Sequence, residues 1–344
     1  MTEVMKALGI HTYLGGMQLG MRKAGFEDLG SIETWKPAIG PRTEYLGLKT
    51  LTMSEGLSGD IQADFVYANP PCSRYSSMSA SYFTADERGE AETFPDLLEA
   101  VEIVRASGAS LLWWETGPNL WGQGMAMVDD IGRRLSEIWQ DSVTSMICKI
   151  DLRNCGIPQR RPRCHVMHFR GNREPAPGPK FTPMLPIGIE EWLRGKCGAS
   201  EPIPVGPLPA EFGVSTHDAM ITVMRETTAF MATRPSIIPE DRRWVGAVLS
   251  GRFLSWERRV RWFSIQESAA LQSYPPDLIA LAASAVSPRR MLTLLSKGVS
   301  PTAVSAVAPL ALAPSSGASG PGGVWRMDAS RDQAQARWDC LESI

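Results

Sequence analysis

The stretch that most constrains this chain is a short apolar run that ends in two prolines and a cysteine. Residues 63–76 have the sequence ADFVYANPPCSRYS, whose aromatic and apolar residues favour a buried strand. Pro70 and Pro71 end that strand, because proline cannot donate a hydrogen bond to a sheet ladder. Cys72 therefore follows the carboxyl end of a strand, on a backbone with little freedom. Ligands of open α/β sheets bind at those ends, so Cys72 is a candidate nucleophile, with a small buried hydrophobe as the ordinary alternative.

Composition sets broad limits on the protein. A length of 344 residues leaves room for about two domains. The formal net charge of -2 excludes a uniformly basic nucleic-acid binder, but arginines clustered in a cleft remain compatible with DNA. The six cysteines form no C-x-x-C pair and no signal peptide is predicted, which favours reduced thiols in a cytoplasm. We expect no membrane span, because the longest apolar stretch, around 278–286, is too short.

Strand, turn and helix signals alternate in the first 70 residues. Residues 6–26 predict a strand, a turn at Gly15 and Gly16, and a helix, an order that lets a ligand approach the backbone. Further strands are predicted to end at Glu33 and Trp35, and then at 58–61. Acids at neighbouring strand ends suit the ribose of an adenosine-containing cofactor, with helix caps and turn acids as the alternative. The expected fold class is α/β, a doubly wound mixed sheet of the Rossmann-like type.

Charged residues also end the later part of the predicted sheet. Residues 111–115 predict a fifth strand that ends at the carboxylate of Glu115, between helices over 96–107 and 128–140. Strands over 142–152 and 164–169 flank an arginine-rich segment, 153–163. Several guanidinium groups beside a turn suit the recognition of phosphates or bases, and a solvated loop is the alternative.

In this order, the segments from residue 6 to about 312 resemble the DNA cytosine-5 methyltransferase family. The part that matches poorly, about 172–255, lies where such enzymes keep their target-recognition region. The resemblance implies a class I S-adenosylmethionine-dependent methyltransferase fold with a small, irregular target-recognition lobe. The matching stretches are Leu14-Gly15-Gly16, Glu33 with Trp35, Gly59-Asp60-Ile61, Pro70-Pro71-Cys72, Glu115, Gln159 with Arg161 and Arg163, Ser264 with Glu267, and Ser296 to Pro301.

The resemblance implies a role for each of these positions. Cys72 would attack C6 of a cytosine, and Glu115 would hold the N3 and amino edge. Arg163 would bind the O2 oxygen, with Arg161 supporting the thiol and the base. Ser76 and Gln159 would contact double-stranded DNA, from which the base must be flipped. No metal is implied. The residues implied to bind S-adenosyl-L-methionine are His11, Tyr13, Leu14, Gly15, Gly16, Glu33, Trp35, Asp60, Ile61, Pro70, Lys297 and Val299.

Three departures from the family pattern lie around the expected cofactor site. Tyr13 replaces a glycine of the first turn, Thr116 and Gly117 follow Glu115 in place of Asn-Val, and Lys297 replaces an asparagine. An ammonium within about 5 Å of a sulfonium would cost roughly 3 kcal/mol at an effective dielectric near 20. Three resolutions remain open. The lysine reaches solvent or a carboxylate, it is neutral, or it pairs with an anionic cofactor such as carboxy-S-adenosylmethionine, which would deliver a carboxymethyl group.

The expected organisation has four parts: a catalytic and cofactor-binding domain over 1–171, a target-recognition region over 172–255, a return to the catalytic domain over 256–312, and a flexible tail over 313–344. We expect a monomeric DNA cytosine C5 methyltransferase in the cytoplasm of a bacterium or a phage-infected host. Three alternatives remain open: a carboxymethyltransferase selected by Lys297, a catalytically inactive DNA-binding member, and an RNA-directed member of the superfamily. The target sequence is not predicted.

Overall fold

The computed structural model describes residues 4–47, 49–70, 75, 95–157, 159, 161–174, 196, 252–254, 260–262, 265–312, 323–330 and 339–341. The chain forms two compact units. The first comprises Met1–Ile150, Pro162–Phe181 and Gly298–Ile344, and the second comprises Asp151–Arg161 and Thr182–Lys297. The second unit therefore includes residues 265–297, which the sequence analysis assigned to the catalytic domain together with 298–312.

A nine-stranded mixed sheet forms the centre of the first unit. Its strands are β1 (Lys6–Ile10), β2 (Glu27–Ile32), β3 (Thr50–Leu51), β4 (Phe65–Ala68), β5 (Leu111–Thr116), β6 (Val143–Ile150), β7 (Arg163–Arg170), β10 (Val324–Asp328) and β11 (Asp339–Leu341). The order across the sheet is β11-β10-β6-β7-β5-β4-β1-β2-β3. Strand β7 runs antiparallel to β5 and β6, and β11 runs antiparallel to β10, whereas the other neighbours are parallel. The predicted doubly wound α/β fold is confirmed.

The described helices of the first unit are α1 (Gly16–Lys23), α2 (Lys36–Leu46), α3 (Met53–Leu57), α4 (Pro95–Ser107), α5 (Leu120–Gln123), α6 (Met125–Trp139) and α10 (Pro301–Val307). The second unit contributes α7 (Ile265–Ala270), α8 (Pro276–Ala285), α9 (Pro288–Lys297) and the antiparallel pair β8 (Arg252–Leu254) and β9 (Val260–Trp262). Short 3-10 helices cover Leu152–Asn154 and Ala308–Leu312. Helices α4, α8, α9 and α10 each begin at a proline, whose fixed φ suits the first helical position. None of the described helices combines the length and apolar character that a bilayer span requires.

The core of the first unit lies around the two central strands. Every residue of β4 and β5 is buried. Val66, Leu112 and Trp114 belong to one apolar cluster with residues of α4 and α6. Parallel strands covered on both faces carry continuous hydrophobic runs, which is why the sequence signal was strong here. The carboxyl ends of β4 and β5 are therefore held by the best-packed part of the sheet.

The prediction of a flexible tail over 313–344 was wrong for Val324–Asp328 and Asp339–Leu341, which form strands β10 and β11. Strand β10 pairs in parallel with β6, from Val324 beside Ser145 to Asp328 beside Lys149. Met327 and Ala329 are buried. The preceding run of serine and glycine suggested a tether, but the residues after it form a strand that pairs with β6.

Candidate active site

The turn between β1 and α1 forms the first part of the candidate site. His11 and Tyr13 both adopt left-handed backbone conformations, with φ of 54° and 52°, and Gly15 does so with φ of 77°. A Cβ at Gly15 would approach Leu46 Cδ1 to 3.0 Å, so both space and conformation call for glycine there. Leu14 and Gly16 are buried beside it. The tyrosine therefore takes the left-handed turn that the family builds with glycine, at some cost in backbone strain.

Glu33 and Trp35 follow β2 and lie against this turn. The Glu33 carboxylate accepts hydrogen bonds from the backbone N–H of Tyr13 and of Trp35, both at 2.8 Å. The Tyr13 and Trp35 rings meet edge to face, with centroids 5.8 Å apart. A carboxylate has about four lone-pair positions, so these two bonds leave Glu33 acceptor capacity for a ribose hydroxyl.

A buried arginine that the sequence analysis missed supports Glu33. Arg42, on α2, lies 3.5 Å from Glu33 Oε2 and donates to Thr12 Oγ1 at 2.8 Å and to Thr50 Oγ1 at 2.7 Å. Burial lowers the pKa of the Arg42 guanidinium, and the Glu33 carboxylate opposes that shift. Helix α2 has no apolar periodicity that would have marked Arg42 as inward-facing, so no sequence signal could have identified it.

The assignment of Asp60 and Ile61 to a third strand end was wrong. The third strand is the two-residue β3, and Ser58–Ile61 come after α3, on the way into β4. A Cβ at Gly59 would lie 3.7 Å from the carbonyl oxygen of Ala106, near the end of α4, which places this segment at the amino edge of the sheet. The residue that follows β3 at the carboxyl edge is Thr52, which caps α3 in a capping box with Glu55. The structure thus does not bring Asp60 or Ile61 to the cofactor side.

The strand that leads to the predicted nucleophile ends as expected. Strand β4 stops at Ala68, and Asn69 and Pro70 are buried directly after it. Cys72 and Ser76 lie outside the described residues. Tyr75, between them, is described: it is buried, and its carbonyl oxygen accepts a hydrogen bond from the Asn119 backbone N–H at 3.1 Å.

Glu115 and Arg163 form a buried ion pair at the carboxyl edge of the sheet. The Arg163 Nε lies 2.9 Å from Glu115 Oε1, and the two side chains are 12% and 3% exposed. Strands β4 and β5 are neighbours in which Ala68 pairs with Trp114. Asn69 and Pro70 therefore emerge beside Glu115, which the predicted chemistry requires.

Two buried histidines lie behind this pair on β7. His165, opposite Glu115 in the ladder, accepts the indole N–H of Trp113 at 3.3 Å, and His168 accepts that of Trp114 at 3.1 Å. Burial lowers the pKa of both imidazoles to about 3. Both imidazoles are therefore neutral at ordinary pH. The accepting nitrogen, Nδ1 in His165 and Nε2 in His168, carries no proton, which fixes the tautomer of each ring.

The thiols of this region are poor nucleophiles. Cys155 and Cys164 are buried, and burial raises the pKa of each thiol to about 12. Neither would form a thiolate near neutral pH.

Arg161 and Gln159 belong to the second unit. Arg161 is buried, and its backbone N–H donates to Asp151 Oδ1 at 3.4 Å. Gln159 is fully buried, and its side-chain amide makes no hydrogen bond with any described residue. In this conformation Gln159 is not presented to a DNA surface.

The predicted residues of the tenth motif are divided between the units. Lys297 ends α9 and its side chain is exposed, whereas Val299 is buried in the first unit. Helix α10, which follows Val299, packs tightly on α1. A Cβ at Gly20 would lie only 2.4 Å from the Val304 Cβ and 2.7 Å from the Pro301 carbonyl oxygen. The glycine at position 20 thus serves this close helix contact.

A second polar cluster at the end of β1 was not predicted. His11 Nε2 lies 2.9 Å from Glu99 Oε2 and 3.5 Å from Asp96 Oδ1, both on the first turns of α4. One ring nitrogen of His11 and one carboxylate oxygen each of Asp96 and Glu99 lie within 4.8 Å of one another, a spacing that could hold a metal ion. The helix over 96–107 was predicted, but nothing in the sequence indicated that its acids would meet His11.

The sheet order and the glycine turn at its first strand are those of the class I methyltransferase fold. Solved structures agree with that fold. A DNA modification methyltransferase encoded within an E. coli prophage superposes with a TM-score of 0.59 at 12% identity, covering 90% of this chain and 98% of that chain. The Entamoeba histolytica methyltransferase EhMeth gives 0.56 at 11% identity, covering 89% and 97%. S. pombe Dnmt2 methyltransferase gives 0.51 at 12%, covering 90% and 98%.

Sequence comparison defines the family. The model of the C-5 cytosine-specific DNA methylase family matches residues 5–186, more than half of the chain. The chain belongs to this family. It is 26% identical over 176 residues to the type II methyltransferase M.HgiDI of Herpetosiphon aurantiacus, covering 48% of this chain and 52% of that protein. It is 30% identical over 83 residues to M.HgiGI of the same organism, covering 21% and 64%. The chain thus spans between half and two thirds of these relatives.

Proposed function

We propose that the protein is a DNA cytosine C5 methyltransferase that uses S-adenosyl-L-methionine. The observation that carries the proposal is the buried Glu115–Arg163 ion pair, which lies beside the strand end that continues into Pro70 and Cys72. A carboxylate fixed by a guanidinium at a sheet edge suits recognition of a pyrimidine that has both donors and acceptors on its rim. Membership of the family supports the same assignment.

The residues around the β1–α1 turn fit an adenosine-containing cofactor. Glu33 retains acceptor capacity for a ribose hydroxyl, and the Trp35 ring offers an apolar surface beside it. His11, Tyr13, Leu14, Gly15 and Gly16 are all buried in this turn, and Pro70 and Val299, which we also assign to the cofactor, are buried as well. When bound, the cofactor supplies an electrophilic methyl group on a sulfonium.

The proposed chemistry proceeds through a covalent bond to the base. The Cys72 thiolate attacks C6, and the electron pair of the C5–C6 double bond moves toward C5. C5 then takes up the methyl group as the bond from that group to the donor sulfur breaks, and the bonding pair stays on the sulfur. Glu115 holds the N3 and amino edge, where a proton is needed as negative charge develops. Loss of the C5 proton then restores the double bond and expels the thiolate. Arg163 is assigned to the O2 oxygen, with Arg161 supporting the thiol and base.

The substrate is assigned as double-stranded DNA with a flipped cytosine. A stacked base cannot present C6 to a thiolate, so the base must leave the helix. Ser76 and Gln159 are proposed to contact the DNA. Because the Gln159 amide is buried without a partner among the described residues, this role requires the segment 151–161 to change conformation on binding DNA.

A carboxymethyl donor remains the second candidate for the cofactor. Lys297 replaces the asparagine of the family and ends α9, where a cation is favourable to the helix dipole. Its side chain is exposed, which fits the first of the three resolutions, in which the lysine reaches solvent or a carboxylate.

The proposal is tested by mass spectrometry of nucleosides from unmodified DNA and from transfer RNA, incubated separately with each cofactor. The expected product is 5-methylcytosine in DNA, abolished in Cys72→Ala and retained in the matched control Cys155→Ala. Carboxymethylcytosine that disappears in Lys297→Asn would replace the methyl proposal with the carboxymethyl one. Product in transfer RNA alone would assign an RNA substrate. Absence of any product, with DNA bound, would indicate an inactive binding protein.

A further inference from the structure

Strand β10 carries an arginine at its centre whose side chain contacts helix α5. The Arg326 guanidinium carbon lies 4.0 Å from the centroid of the Trp121 ring, and Arg326 Nη2 donates to the Trp121 carbonyl oxygen at 2.6 Å. One side chain thus holds both the ring and the backbone of the same residue. These two contacts join strand β10 to helix α5 across 205 positions of sequence.

An ion pair on the same strand lies next to this contact. Asp328 accepts from Lys149 Nζ at 2.9 Å and from the Ser330 hydroxyl at 2.6 Å. Lys149 also lies 5.6 Å from the centroid of the Trp121 ring. The Trp121 ring therefore has cations from two strands, β6 and β10, as neighbours, and such cation–π contacts strengthen where water is partly excluded.

Helix α5 lies in a segment that follows Glu115 in the sequence and contacts Tyr75. It begins four residues after β5 ends, and β5 carries Glu115. At its start, the Asn119 backbone N–H donates to the Tyr75 carbonyl oxygen at 3.1 Å. At its end, a Cβ at Gly124 would lie 3.0 Å from Tyr75 Cε1, so the glycine leaves room for the tyrosine ring. Tyr75 lies three residues after Cys72.

We propose that Arg326 is a positioning residue for methyl transfer. It fixes the segment 117–124, which follows Glu115 directly and donates a hydrogen bond to Tyr75, and so holds the Glu115 carboxylate in place for the reaction. This inference rests on the proposed function, since it assigns a role within that reaction. The observed contacts of Arg326 are with Trp121, and we assign it no contact with the base or the cofactor. Small displacements of reacting groups cost large factors in rate, on the order of a hundredfold for about 1 Å.

The proposed role differs from general stabilisation in what it predicts for each kinetic constant. Loss of the Arg326 contacts would loosen the segment 117–124 but leave the turn of His11 to Gly16 and the Glu33–Arg42 pair intact. The rate of the chemical step falls, while affinity for the cofactor stays the same. If Arg326 only stabilised the fold, its loss would lower the rate and the apparent cofactor affinity together, in proportion to the fraction of folded protein.

The test uses the full chain with four variants. Arg326→Met removes the guanidinium, Arg326→Lys keeps a cation over the ring, and Trp121→Phe keeps a ring and the carbonyl acceptor. Arg133→Met is the matched control, because Arg133 is an exposed arginine that pairs only locally on α6 with Asp130 and Glu137. The measurements are the single-turnover rate of methyl transfer at saturating DNA and cofactor, the Kd of the cofactor by calorimetry, and hydrogen exchange of the peptide covering 117–124.

For Arg326→Met we expect a single-turnover rate lowered by about 30-fold, a cofactor Kd within about twofold, and faster exchange over 117–124 but not over 6–10. Arg326→Lys should recover part of the rate, and Arg133→Met should match the wild type. An unchanged rate or unchanged exchange in Arg326→Met would overturn the inference while leaving the proposed function in place. If the wild type forms no product, the proposed function fails. The exchange measurement then decides by itself whether Arg326 fixes this segment.

Discussion

At the scale of single residues, the candidate site depends on charges that are buried and paired. Glu115 and Arg163 lie 2.9 Å apart, and Glu33 and Arg42 form a second pair whose side chains are almost inaccessible to solvent. Removing one partner of such a pair leaves the other charge without compensation in a poorly solvated place. Both pairs should therefore be sensitive to substitution in stability as well as in activity.

Substitutions at the Glu115–Arg163 pair separate charge from shape. Glu115→Gln keeps the size and an acceptor for Arg163, so we expect a loss of about 1–2 kcal/mol in free energy of unfolding and about 100-fold or more in transfer rate. Arg163→Met leaves a buried carboxylate unpaired and should cost about 3–5 kcal/mol. Urea denaturation and single-turnover assays measure both. The exposed Glu137→Gln is the control, with an expected change under about 0.5 kcal/mol. Equal denaturation curves for Arg163→Met and Glu137→Gln would contradict this account.

The buried histidines predict instability in acid. The pKa of His165 and of His168 is lowered to about 3 in the folded protein, whereas an unfolded histidine titrates near 6.5. Below pH 6.5 the unfolded chain therefore binds more protons than the folded protein does. The free energy of unfolding decreases as the pH is lowered, until the pH reaches the pKa that the histidines have in the folded protein. At pH 4, each histidine should have lowered the free energy of unfolding by about 3 kcal/mol relative to neutral pH.

The variant His168→Gln tests this pH dependence. It should be less stable than the wild type at pH 7, because the Trp114 indole loses a well-placed acceptor. It should also lose about 3 kcal/mol less than the wild type between pH 7 and pH 4, measured by urea denaturation at each pH. Parallel loss of stability in the two proteins would show that His168 is not responsible.

At the scale of elements, prediction succeeded where the chain has a buried run of sufficient length. Strands β4 and β5 and helix α4 were predicted within about two residues because apolar residues recur with the proper period. The two-residue strand β3 is too short to produce a period, so Asp60 was given to the wrong strand end. The left-handed backbone of Tyr13 and the inward direction of Arg42 were also not predicted from the sequence, because both depend on tertiary contacts.

The contact between α1 and α10 gives a prediction for Gly20. In Gly20→Ala the new Cβ would overlap Val304 and the Pro301 carbonyl, so the helices must separate, at a cost of about 2–3 kcal/mol. Val304→Ala in the same chain should restore part of that loss. The control is Gly122→Ala, where a Cβ would meet nothing within 4 Å. Thermal and urea denaturation measure the effect. A Gly20→Ala protein as stable as Gly122→Ala would contradict the observed packing.

At the scale of the whole molecule, strand β10 returns from the far end of the sequence to cover β6. A serine- and glycine-rich run of residues hid this strand from the sequence analysis, because local composition does not report where a later segment pairs. A chain truncated after residue 312 would expose the β6 edge and the apolar surface that Met327 covers. We expect a loss of about 3 kcal/mol or more and oligomers in size-exclusion chromatography. A chain that lacks only 342–344 is the control, and equal stability of the two would contradict the role of β10.

The central claim is that Cys72 bonds transiently to C6 of a cytosine. The most direct measurement is the intact mass of the product formed with the cofactor and a randomised DNA duplex that contains 5-fluorocytosine, whose C5 fluorine prevents release of the thiol. The account predicts a covalent protein–DNA complex, mapped by peptide analysis to Cys72, retained in Cys155→Ala and absent in Cys72→Ser. An adduct on another cysteine, or DNA modified by the Cys72→Ser protein, would contradict it.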